Sequence, residues 1–143
     1  MREQSNTLKI VSAVAPGAYT ADVTPVQIDR QGFGSVTFAV HVGAGGITFT
    51  GTNKIEFVLE ESYDGEDWTD VLAKDVAGLD LTADDGIVLA LKTAHANPTV
   101  TKFGYIGDAR YVRLTTDFSG THGTGTPLSA LAIMGRPAHA PVA

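Results

Sequence analysis

The sequence contains no cysteine. That absence excludes a disulfide framework, a thiolate nucleophile and thiolate metal ligands. No stretch approaches the ~18 consecutive apolar residues of a membrane span, so no membrane partner is expected. Charged residues reach only 18% of the 143 positions, against a usual share of about 25%. Ten Lys and Arg face sixteen Asp and Glu, for a net charge of −6. The basic residues are scattered, and no patch exists to displace phosphate counterions, so nucleic acid is not an expected partner. Residues 1–6 are polar and lack the apolar centre of a signal peptide. With the missing cysteines, they read as the start of a product made in a reducing cytoplasm.

What is present is apolar alternation. Hydrophobic residues make up 43% of the chain, and sixteen glycines and six prolines punctuate it. At residues 35–42, Val36, Phe38, Val40 and Val42 take one phase, and Thr37, Ala39 and His41 take the other. This two-residue period marks a half-buried strand. Residues 54–61 repeat it, with Ile55, Phe57 and Leu59 inward and Glu56 and Glu60 toward water. Val112, Leu114 and Phe118 alternate with Tyr111, Arg113 and Asp117 in a third run. Shorter apolar runs fall at 7–14, 23–28, 68–72, 86–91, 99–105 and 130–134, giving about eight or nine strands.

Turn residues separate these runs, among them Ala15-Pro16-Gly17, residues 43–46, Asp64-Gly65, Asp84-Asp85-Gly86 and Asn97-Pro98. Residues 120–127 form the longest Gly/Thr-rich loop. No segment carries a helical apolar stripe, and residues 70–79 allow a short helix at most. Many short strands without crossover helices predict one all-β domain over residues 1–143, an antiparallel sandwich, jelly roll or barrel. Residues 1–6 and 136–143 read as flexible arms.

The residues able to carry chemistry do not form a known pattern. His41, His95, His122 and His139 lie in four separate segments without metal-ligand spacing, which favours surface or structural roles. Asp64, Glu66, Asp67 and Asp70 cluster, but the EF-hand pattern is absent, and Asp-Gly is a hairpin-turn pair in its own right. Asp84-Asp85-Gly86 reads the same way. There is no nucleophile elbow and no phosphate loop. No catalytic residue, metal or cofactor is expected, and the chain does not read as an enzyme. Tyr19, Tyr63, Trp68, Tyr105 and Tyr111 leave a sugar-stacking platform open, although for Trp68, at the start of a strand, a core or inter-sheet plug is the commoner role.

Two segments carry a resemblance. One is Glu61-Ser62-Tyr63-Asp64-Gly65-Glu66-Asp67-Trp68-Thr69-Asp70-Val71. The other is Tyr105-Ile106-Gly107-Asp108-Ala109-Arg110-Tyr111-Val112-Arg113-Leu114, followed by Pro127-Leu128-Ser129-Ala130-Leu131-Ala132-Ile133-Met134-Gly135-Arg136-Pro137. Together, over residues 55–142, the chain resembles the decoration or cement proteins of tailed-bacteriophage heads. The resemblance implies a jelly-roll-like sandwich, a small homo-oligomer (dimer or trimer), and the major capsid protein as partner. It implies a place on the outer capsid surface of a virion assembled in bacterial cytoplasm, where the protein ties capsid subunits together. It transfers no catalytic residue and places no capsid contact by motif. Candidates for contact come from the termini: Leu8, Ile10, Arg136, Pro137, Pro141 and Val142. A carbohydrate- or receptor-binding sandwich module and a phage tail or tail-completion protein are the alternatives.

Overall fold

A computed structural model describes residues 3–142; Met1, Arg2 and Ala143, the ends of the two expected arms, lie outside them. Ten strands run in chain order: β1 (Lys9–Tyr19), β2 (Ile28–Asp29), β3 (Phe33–Val42), β4 (Lys54–Ser62), β5 (Thr69–Asp70), β6 (Val76–Ala77), β7 (Ile87–Leu91), β8 (Thr99–Tyr105), β9 (Tyr111–Ser119) and β10 (Thr126–Pro137). The first sheet has the order β1-β10-β3-β8-β6. The second has the order β2-β9-β4-β5, with β7 also paired to β4. All pairings are antiparallel.

The order has a simple origin. β1 pairs with β10, β2 with β9 and β3 with β8, while β4 closes on β5 and β7. This is one long hairpin whose tip is β4–β7 and whose paired arms roll into two facing sheets, the jelly-roll arrangement.

The alternation dictates what fills the space between the sheets. Val36, Phe38, Val40 and Val42 from the first sheet meet Ile55, Phe57, Leu59, Val112 and Leu114 from the second, all buried. Phe38 stacks on Phe103 of the adjacent strand at 5.4 Å between ring centroids. Gly86 shows how tightly the hairpin tip closes. Its φ is 67°, and a Cβ there would stand 2.7 Å from the Leu59 carbonyl oxygen. The Leu59 N–H donates to the Gly86 carbonyl at 2.8 Å.

Several local expectations need correction. Glu56 does not face water: it is 8% exposed, bonded to Lys54 at 2.7 Å and to Lys92 at 3.0 Å. The Lys54 hydrogen bond, against the cost of burial, holds its carboxyl below the usual range. A carboxylate can leave water on a sheet face when two ammonium groups cover it. The run at 68–72 supplies only the two-residue β5, followed by a 3-10 turn, Ala73–Asp75. β10 continues to Pro137, so Arg136 and Pro137 belong to a strand, not to a terminal arm. Before β1, Ser5–Thr7 form a 3-10 turn, and the Val142 N–H donates to the Asn6 carbonyl at 3.0 Å.

Truncating Phe38 would remove a fully buried ring from the middle of the first sheet. Phe38→Ala is expected to cost about 3–5 kcal/mol in urea denaturation, with the two-state transition retained.

Candidate functional site

The two outer faces differ in chemistry. On the first sheet the outward residues line up across strands in three rows. Ile10, Ile133, Thr37 and Gly104 form one row, and Ser12, Leu131, Ala39 and Lys102 the next. Ser129, His41 and Val100 form the third. Lys102 is the only formally charged side chain among them. Val100 is 66% exposed, Ile10 57% and Leu131 44%. On the second sheet the corresponding face holds Asp29, Lys54, Glu56, Glu60, Asp70, Arg113 and Asp117, with Lys92 and Arg110 just outside its strands. Every ion pair among the described residues lies here: Lys54–Glu56, Lys92–Glu56, Arg110–Asp29 at 2.7 Å and Arg113–Glu60 at 2.5 Å.

Desolvation separates these faces. Taking a charged group out of water costs several kcal/mol, whereas small hydroxyls and aliphatic groups cost little or gain. The first sheet therefore offers a surface that a partner can cover cheaply. With side-chain margins, three rows across four strands span roughly 20 Å by 20 Å, about 400 Å². A standard interface takes about 800 Å² from each partner. The face alone would supply half, and the rim or further copies must supply the rest.

At one end of the sandwich a polar clip joins the sheets. Tyr105, whose ring is buried in the first sheet, donates its hydroxyl proton to Glu61 of the second, and the Ala109 N–H donates to the Tyr105 hydroxyl oxygen at 3.0 Å. Burial, then the Glu61 hydrogen bond, pushes the hydroxyl well above the usual tyrosine range. Gly107 lies so close that a Cβ would stand 2.5 Å from that oxygen. Arg30 covers the ring at 4.9 Å. Its Nε donates to the Ala109 carbonyl at 2.5 Å and its Nη2 to that of Gly107 at 2.6 Å. Beside the clip opens a cleft of about 580 Å³ lined in part by Arg30, Ile106, Asp108 and Arg136.

The residues singled out by type do not converge. His41 stands exposed on the first sheet, and His139 lies exposed near the C-terminus. His95 contacts the Gly43 carbonyl and stacks on Phe49, while His122 is buried against Phe118 and the Ser119 carbonyl. No group of three or more His, Asp or Glu among the described residues could hold a metal ion. Asp64 serves its own loop: one carboxylate oxygen accepts from the amides of Glu66 at 2.9 Å and Asp67 at 3.0 Å and from the Ser62 hydroxyl. These bonds, the Glu66 amide first, hold its carboxyl below the usual range. Only Gly65 of the Asp-Gly pair has positive φ, and six residues separate β4 from β5. The turn is therefore built by a side-chain clamp rather than by a tight hairpin.

Of the five aromatics, Tyr19 ends β1 and Tyr105 ends β8 in the first sheet, whereas Tyr63 and Trp68 lie in the β4–β5 loop and Tyr111 opens β9, opposite Ser62. Tyr105 is buried, Tyr63 is 72% exposed, and Trp68 and Tyr111 lie under the guanidinium groups of Arg113 and Arg110 at 4.2 Å and 4.8 Å. Of the terminal candidates, Ile10 lies on the neutral face and Leu8 reaches toward Gly135 beside it. Arg136 lines the cleft. Pro137 pairs with Phe33, and Pro141 and Val142 follow the last strand.

No protein-family model matches the chain, and no curated protein does. Among solved structures it is similar to one described by the words "Bacillus endospore appendages form a novel family of disulfide-linked pili". The TM-score is 0.38 and the identity 14%, over 92% of this chain and 91% of that one. A likeness of that size carries no argument about this protein.

The clip predicts an alkaline weakness. A hydroxyl kept neutral by the fold holds its proton more tightly folded than unfolded. Its contribution is therefore complete below pH ~10, the unfolded tyrosine value, and is lost as pH rises further. Tyr105→Phe should cost about 1–3 kcal/mol at neutral pH. Urea denaturation at a series of pH values should show the gap from wild type closing above pH ~10.

Proposed function

We propose that this protein is a virion structural protein, a decoration or cement protein on the outer capsid surface of a tailed phage. In this reading it acts as a small homo-oligomer, a dimer or trimer, that stabilises contacts between major capsid subunits. The observation that carries the reading is the neutral outer face of the first sheet, set against an ion-paired face on the second. Interface centres are depleted of charge, and this face has one cation across three rows. The resemblance in residues 61–71, 105–114 and 127–137 points to the same reading.

The size of the face favours an oligomer. A patch of about 400 Å² binds weakly alone, but linked copies convert later contacts into intramolecular ones and raise avidity by about 10²–10⁴. Repeated contact across subunit boundaries is what would resist outward pressure from packaged DNA.

Purified protein mixed with expanded empty shells of its phage should co-sediment at micromolar concentration. Leu131→Glu places a charge at the centre of the face on an already exposed side chain. It should weaken co-sedimentation at least about tenfold, the effect of desolvating one added charge, with the melting temperature unchanged. Equal binding by wild type and Leu131→Glu would remove this face from the reading, and no binding by wild type would remove the reading.

A further inference from the structure

Four arginines lie among the described residues. Arg110 and Arg113 are paired with carboxylates on the second sheet. The other two, Arg30 and Arg136, make no ion pair within 4.0 Å with a described residue, and both line the cleft beside the clip. Arg30 is half-buried and held by two backbone carbonyls, so its guanidinium is fixed in place. Arg136 is exposed and has φ of 52°, the only positive φ among non-glycine described residues. That left-handed conformation is disfavoured for a side chain and easy for glycine. Its strand partner region is crowded too: a Cβ on Gly34 would stand 3.2 Å from the Arg136 Cβ. A backbone outlier of this kind points toward use of the side chain it carries.

We infer that this cleft takes one acidic side chain of the shell protein, held by the guanidinium groups of Arg30 and Arg136. The inference rests on the docking reading above and specifies one contact within it. Guanidinium groups suit carboxylates because their N–H donors match the two oxygens. Ile106, 62% exposed on the cleft lining, offers an apolar contact to the same partner. Asp108 also lines the cleft. With two guanidiniums it leaves one net positive charge, which matches a single carboxylate better than a dianionic phosphate. Glu61 is engaged by the Tyr105 hydroxyl behind the cleft and does not line it.

Backbone and side-chain roles of Arg136 can be separated. Arg136→Gly accepts the positive φ and deletes the guanidinium, so its melting temperature should equal or exceed that of wild type. Its apparent dissociation constant for expanded shells should rise about tenfold, and Arg136→Gln should show the same loss with the original Cβ retained. Lys92→Gln removes the same charge from the second sheet and should bind as wild type does. Binding unaffected by either Arg136 variant, or weakened equally by Lys92→Gln, would overturn the cleft contact while leaving the docking reading standing. No sedimentation of wild type would overturn both.

Discussion

The hydrogen bond from Tyr105 to Glu61 sets how the two sheets meet at one end of the sandwich. Each sheet has one apolar face, and burying both faces against each other is the main drive to fold. Burial alone leaves the relative placement of the sheets loosely determined, because apolar contact has no direction. A buried phenol does have direction: its oxygen needs a partner, and here Glu61 and the Ala109 amide supply it. Other features follow from that requirement. Gly107 must lack a side chain so that the β8–β9 connection can pass the oxygen, and Arg30 ties the same connection down through its carbonyls. The cleft is the space left beside this knot.

The two outer faces divide the demands on a small domain. Most charges on the second sheet are held in ion pairs, Glu56 buried under two lysines and the Arg110–Asp29 pair exposed, where such a pair adds little stability. They make that face costly to cover, since a partner would have to desolvate the charged groups that remain exposed, Asp29, Arg110 and Lys92 among them. The first sheet has the opposite property. Its exposed apolar side chains lie among threonines, serines and alanines, so a covering surface needs few specific partners. An aliphatic sheet face and an open strand edge invite unlimited aggregation, and two features oppose that. The net charge of −6 repels like molecules. The free edge of β1 is broken by register shifts after Ser12 and Val14 and contains Pro16, which discourages strand addition.

Much of the fold was legible from alternation, because burial on one face imposes a two-residue period wherever a strand is long. Val36 to Val42 and Ile55 to Leu59 are buried as their phases require. The two-residue strands β2, β5 and β6 carry too few residues to show a period at all. Glu56 broke the rule because Lys92 arrives from a distant segment to cover it, a contact no local pattern encodes. The neutral face was visible only in fragments. Leu131 and Ile133 sit in a continuous apolar run, which hides that they point away from Ala130 and Ala132. The patch exists only once β10 brings them beside Ile10 and Thr37. Arg136 was a candidate only as part of the C-terminal segment; its left-handed backbone gave no signal, since nothing in its neighbours announces it.

The neutral face and the cleft complement each other. A face that is cheap to desolvate is also undiscriminating, because aliphatic and hydroxyl groups accept many covering surfaces and many rotations about the contact normal. One fixed cationic contact at its edge would remove that freedom, since a carboxylate must then arrive at one position relative to the rows of the sheet. Charge complementarity adds more to register than to net affinity. This combination suits a partner that presents the same surface many times: weak apolar area at each copy, a single polar contact to set orientation, and strength gained by repetition.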